Sequence, residues 1–233
     1  MKIISSTGGG GSSFVADQFS TNGWAVCLRP DGGHQKATHT VKQIYDERTS
    51  PFFKTRLNHL ATQEQMFVEA YNTLNRINYK NIMLLCMSWG GLGFLNELDE
   101  KTIFLVRDPI FAFNSYSGGG WRKEGGARRI KYVGASGPND KKWIDLWLNE
   151  FAFWKQGANN ALNSVKNGTG LLVRYHNFAE DWSRISDVPP IHKNFKSKDD
   201  ISKTNGFLTS DTIDYIREQT NDVWEEIKAY KHE

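Results

Sequence analysis

The chain has 233 residues, enough to bury a full hydrophobic core as one domain, and its 24% charged and 39% apolar content is ordinary for a soluble globular protein. A formal net charge of +3 is too small to argue for a nucleic-acid partner by itself. No apolar run approaches the roughly 20 residues of a membrane-spanning helix, and the polar, glycine-rich first residues do not read as a signal peptide.

In chain order, Lys2 to Ser6 predicts a short strand and Ser12 to Thr21 a helix, with Ser12 or Ser13 as N-cap. "GWAVCLRP" predicts a second strand ending at Pro30, and residues 31 to 60 read as polar and irregular, with a helix near Thr40 to Arg48. In "TQEQMFVEAYNTLNRI", Met66, Phe67, Ala70, Tyr71, Leu74 and Ile77 recur at helical spacing and predict an amphipathic helix. "NIMLLCMS" and "TIFLVRDP" are continuous apolar runs, as in strands buried on both faces. "WIDLWLNEFAFWKQGANNALNSV" predicts one long helix, "GLLVRYHNF" a fifth strand, and "TSDTIDYIREQTNDVWEEIKAY" a C-terminal amphipathic helix. Strands alternating with helices predict an α/β fold of three layers around a central, mainly parallel sheet. The eight Trp, eight Tyr and fourteen Phe point to large buried contacts or stacking surfaces. Cys27 and Cys86 fall in apolar strand-like runs and read as buried free thiols, so a cytoplasmic location is expected.

The most informative stretch is "IISSTGGGGSSFVADQF", four consecutive glycines between the first strand and the first helix. Glycine lets backbone N–H groups turn inward and approach a ligand closely, and the following helix offers the positive end of its dipole. The loop therefore suits a phosphate or sulfate group, with hydroxyls from Ser12 and Ser13 added; a flexible turn with no ligand is the alternative. No lysine precedes the serines, so a Walker-type NTPase is not expected. Gly8 and Gly10 fit a dinucleotide fingerprint, but Ser13 takes its third glycine position; with Asp31 as the ribose-binding acid, a nicotinamide-dinucleotide oxidoreductase stands as the rival.

A second stretch, "KTIFLVRDPIFAFNSYSGGGW", ends a strand in Arg107-Asp108-Pro109 and places Ser115 eight residues after Arg107. Arginine at a strand end presents a planar, permanently charged fork to a phosphate. A helix starting near Pro109 carries Ser115 two turns on, so both side chains grip one phosphate if that helix runs back along the strand end. Taken alone, the stretch reads better as a surface Arg–Asp pair and a capping serine.

Together, "STGGGGSSF" and "VRDPIFAFNS" resemble the PAPS-dependent sulfotransferases, in which 3′-phosphoadenosine 5′-phosphosulfate (PAPS) is the sulfuryl donor. "LLVRYHNFAEDW" is similar to the family's strand ending in Arg-Tyr-Glu-Asp-Leu, with His176 and Asn177 in place of the acids. The resemblance implies a P-loop-like strand–loop–helix in which Gly9, Gly10, Gly11, Ser12 and Ser13 hold the 5′-phosphosulfate. It implies that Arg107 and Ser115 bind the 3′-phosphate. Phe14 falls where the family often has an aromatic near the adenine, though it reads equally as a core residue. The implied activity is sulfuryl transfer to a hydroxyl or amine, with a small-molecule or carbohydrate acceptor, no metal, no nucleic acid and no membrane span; the sequence leaves lipid and peptide acceptors and the oligomeric state open.

Two departures stand out. Gly9 occupies the position where family members usually carry Lys or Arg, and "CMSWGG" replaces the family's Lys-Thr-His stretch with Ser88 and Trp89, neither of them a base. "RPDGGHQKATH" follows the second strand and supplies replacements. His34 is the expected base, Lys36 the expected cation and His39 a reserve, since imidazole accepts protons near neutrality and an ammonium stabilises a developing anion. Each alone also reads as a solvated loop residue. Arg122, Lys123, Arg128, Arg129 and Lys131 form a basic cluster that reads as a lid over nucleotide or acceptor, or as a solvated loop; "HKNFKSKDDISK" is a second basic segment.

Overall fold

The computed structural model describes residues 1–7, 9–27, 68, 71–72, 75–76, 81–87, 95, 98–119, 133–151, 154–191 and 208–232. These hold five strands: β1 (Lys2–Ser6), β2 (Ala25–Cys27), β3 (Ile82–Met87), β4 (Thr102–Val106) and β5 (Gly170–Arg174). The helices are α1 (Ser12–Thr21), α2 (Pro109–Asn114), α3 (Lys141–Leu146), α4 (Trp154–Lys166), α5 (Phe178–Ser183) and α6 (Ser210–Ala229). All five strands are parallel, in the order β2-β3-β1-β4-β5. The α/β expectation therefore holds. The expected helix near Thr40 to Arg48 lies outside the described residues. Of the amphipathic segment after it, Val68, Tyr71, Asn72, Asn75 and Arg76 are described and helical, and Tyr71 is buried.

Strand alternation sorts the core into two layers. Ile3, Ala25, Ile82, Phe104, Val106 and Leu172 face α2, α3, α4 and α6. Their chain neighbours Ile4, Val26, Met83, Ile103, Leu105 and Val173 face α1 and α5. Side chains two apart share a face and adjacent ones do not, so continuous apolar runs are what a sheet covered on both sides requires. Trp143, Trp147 and Trp154 are fully buried and dominate the first layer. Each large apolar side chain withdrawn from water contributes about 1.5–3 kcal/mol. No helix among the described residues is long and apolar enough to cross a membrane.

Two local predictions need correction. The single long helix is interrupted: α3 passes into a π-helical turn at Trp147–Phe151 before α4 begins. The apolar spacing is continuous across that turn, so periodicity alone does not reveal the wider winding. The N-cap of α1 is Gly11, not Ser12 or Ser13. Gly11 adopts φ 99°, a left-handed conformation open to glycine, and the serines become the first helical residues. The described part of the second strand ends at Cys27, and Leu28 to Pro30 lie outside the described residues.

Hydrogen bonds tie α6 to the first layer. The Tyr215 hydroxyl donates to Asp145 Oδ1 at 2.7 Å. That bond, with burial and the Asp145 charge, pushes the phenol up to about 12. A phenol whose folded pKa lies above its unfolded value of about 10 stabilises the fold fully below that pH and loses the contribution as pH rises toward the folded value. The melting-temperature gap between wild type and Tyr215→Phe should therefore close between about pH 10 and 12; a gap that widens there would contradict the assignment.

Candidate functional site

The site lies where the strand order reverses. After β1 the chain moves outward to β2, returns through β3, and then crosses to the other side of β1 as β4. In open parallel sheets the crevice outside the carboxyl ends of the strands, at such a reversal, is where ligands bind. The glycine bend leaves β1 and Arg107 leaves β4, so the two singled-out stretches end on neighbouring strands.

The bend is a tight turn closed by Gly10 N–H donating to the Thr7 carbonyl at 2.8 Å. Gly9 holds its third position at φ 80°, which favours glycine. A Cβ on Gly9 would lie 2.2 Å from the carbonyl oxygen of Ala112 on α2. One on Gly10 would lie 2.6 Å from Ser6 Oγ, and one on Gly11 would lie 2.7 Å from Tyr175 Cε2. Gly9, Gly10 and Gly11 are thus demanded by close approach, and Gly9 and Gly11 by backbone angle as well. The Thr7 hydroxyl is buried and has no hydrogen-bond partner among the described residues. α1 opens with no acidic residue in its first turn, which leaves its positive end unopposed from within the helix.

Arg107 reaches this bend. Its Nη1 donates to the Gly9 carbonyl at 3.2 Å, across 98 residues of sequence. The guanidinium carbon stands 4.3 Å from the centroid of the Tyr175 ring, in cation–π contact. The Arg107 backbone carbonyl accepts from the buried Trp154 indole at 3.1 Å, which pins the end of β4. Asp108 serves as N-cap of α2, accepting from the Ile110 and Phe111 amides at 2.8 and 3.4 Å, and Pro109 takes the first helical position.

Ser115 follows α2, where the helix passes into a π-helical turn at Ser115–Gly119, and its side chain is exposed. Ser12 and Ser13 form the first turn of α1. Phe14 packs edge-on against Phe178, at 5.4 Å between ring centroids, on the margin of the second core layer. His34, Lys36 and His39 lie outside the described residues, as do Gly8, Ser88, Trp89 and both basic segments.

Beside the bend, the end of β5 carries a buried ion pair that motif reading missed. Arg174 donates from Nε and Nη2 to the two oxygens of Asp181 at 2.9 and 2.7 Å, and its backbone N–H adds a third bond at 2.8 Å. The Asp181 side chain is completely buried. Arg174 Nη1 donates to the carbonyls of Lys228, in the last turn of α6, and Tyr230, just past its end, and His232 Nε2 lies 3.1 Å from Asp181 Oδ1. Burial alone would raise the Asp181 pKa, but the hydrogen bonds and charge of Arg174 hold it below the usual carboxylate range. The bond to Asp181 raises Arg174 in turn. With His176 and Asn177 in the positions where acids are expected, the carboxylate comes from α5 instead, seven residues after Arg174. An acid in the first turn of a helix after a strand-terminal arginine is the signal that would have found it.

Fold and site together define an α/β protein with a glycine-rich bend and a strand-terminal arginine converging at the reversal point of a parallel sheet. No protein-family model matches the chain, and no curated protein or solved structure matches it.

Proposed function

We propose that this chain is a cytoplasmic sulfotransferase of one α/β domain, moving the sulfuryl group of PAPS to a hydroxyl or amine of a small-molecule or carbohydrate acceptor. The observation that carries the reading is the contact between Arg107 and Gly9: the two stretches that resemble the family's donor-binding elements meet in space although 98 residues separate them. The strand order β2-β3-β1-β4-β5 departs from the 3-2-1-4-5 order of dinucleotide-binding sheets, which favours this reading over a nicotinamide oxidoreductase.

The residues present suit the donor. Gly9, Gly10 and Gly11 let the bend pack closely against Ala112, Ser6 and Tyr175, the buried Thr7 hydroxyl has no hydrogen-bond partner among the described residues, and α1 opens without an acidic residue in its first turn. In this reading the β1–bend–α1 segment is the P-loop-like cradle, with Ser12 and Ser13 adding hydroxyls to the phosphosulfate. Arg107 and Ser115 take the 3′-phosphate, and Phe14 borders the adenine. The acceptor oxygen or nitrogen forms a bond to sulfur as the bond from sulfur to the bridging phosphate oxygen breaks. The acceptor proton goes to His34, with His39 in reserve, and Lys36 stabilises the leaving adenosine 3′,5′-bisphosphate. Catalysis then rests on positioning and charge stabilisation.

Differential scanning fluorimetry tests donor binding. Adenosine 3′,5′-bisphosphate at about 100 times its Kd should raise Tm by roughly 5–10 °C, whereas NAD and NADP should not. Arg107→Ala should shrink the shift markedly without removing it. Stabilisation by NAD, or an unchanged bisphosphate shift in Arg107→Ala, would overturn the donor assignment. Incubation with labelled PAPS and a panel of alcohols, sugars and amines then tests turnover; bisphosphate binding without any labelled product would favour a non-catalytic nucleotide-binding protein.

A further inference from the structure

We propose that Tyr175 is a positioning residue that holds the Arg107 guanidinium in place for the 3′-phosphate, an inference that rests on the donor-binding reading above. One ring serves two partners. Its face lies 4.3 Å below the Arg107 guanidinium, and its Cδ2–Cε2 edge lies against Gly11, where a Cβ would come within 2.9 and 2.7 Å. The ring is itself braced: it meets Phe178 edge-on at 6.4 Å, and Phe178 stacks on Trp182 at 5.2 Å. Its backbone follows Arg174, fixed by the buried pair with Asp181. Tyr175 thus ties the end of β4, the start of α1 and the end of β5 to one rigid surface.

Arginine has many rotamers, and a phosphate site that must order one at the moment of binding loses affinity. A ring under the guanidinium, together with the Gly9 carbonyl accepting from Nη1, settles that orientation beforehand. The π face does this work, and phenylalanine supplies the same face.

Isothermal titration calorimetry of the full chain with adenosine 3′,5′-bisphosphate and with adenosine 5′-monophosphate, which lacks the 3′-phosphate, separates positioning from packing. Tyr175→Phe should bind both within about twofold of wild type. Tyr175→Leu should lose about 5- to 30-fold toward the bisphosphate and little toward the monophosphate. In an Arg107→Ala background the same change should have no further effect, because the group it orients is gone. Should Tyr175→Leu fail to fold, Tyr175→Met provides the same comparison. Equal losses toward both nucleotides, or an undiminished loss in the Arg107→Ala background, overturn the positioning role alone. Absence of bisphosphate binding by the wild-type chain overturns the donor reading and this inference together.

Discussion

Replacing Asp181 by alanine should destabilise the protein by about 3–5 kcal/mol, because it strands a buried guanidinium that has given up water for two carboxylate oxygens. For a chain of this length that corresponds to a fall in Tm of roughly 8–15 °C. The loss extends to α6, since Arg174 also holds the carbonyls of Lys228 and Tyr230. A paired apolar replacement, Arg174→Met with Asp181→Leu, should recover most of the stability, as buried ion pairs exchanged whole for hydrophobic groups commonly do. The pH dependence follows from the sign of the shift. Asp181 is held below its unfolded pKa, so its contribution is complete above about pH 5 and is lost as pH falls through the folded value. Urea midpoints of wild type and Asp181→Ala should therefore draw together as pH falls below the ordinary carboxylate range; a difference that widens with acidification would show that the carboxylate is not what stabilises this corner.

Gly9→Ala should cost about 2–5 kcal/mol, the sum of a left-handed backbone imposed on alanine and an overlap with a main-chain oxygen. The new methyl would sit 2.2 Å from the Ala112 carbonyl, and helix backbone cannot swing aside as a side chain does. Gly23→Ala is the internal control. Gly23 also has positive φ, at 78°, but a Cβ there meets nothing within 4 Å, so only the conformational cost of about 1 kcal/mol remains. Chemical denaturation of the two variants should differ by about 1–4 kcal/mol. Equal values would mean that α2 yields, and that the bend is less tightly framed than its distances indicate. A relaxation of α2 away from residue 9 would also disturb the preceding Arg107 and its bond to the Gly9 carbonyl, so on the proposed donor reading Gly9→Ala should weaken bisphosphate binding even where the protein stays folded.

The elements were legible because their signals are local. Apolar runs such as "TIFLV" announced strands covered on both faces, and Asp108-Pro109 announced the start of α2. The strand order was not legible, since it depends on where each crossover lands and no residue pattern within a strand encodes that. The same division holds at the site. Four glycines and the Arg-Asp-Pro turn could each be read in isolation, and a resemblance joined them before any distance did. The face of Tyr175 under Arg107 could not be read, because a cation–π contact across two strand ends leaves no mark on spacing. The serines at 12 and 13 misled for a related reason: their capping preference is real, but the glycine before them adopted the conformation that begins the helix.

Two of the acceptors around Arg174, the carbonyls of Lys228 and Tyr230, lie more than fifty positions after it. A ribosome delivers the arginine well before the carbonyls that complete its surroundings. During that interval β5, at the margin of the described sheet, sits beside a charge whose shell is unfinished. Nascent chains halted before residue 228 should accordingly stay open to protease at this corner, and close only once the last acceptors have emerged.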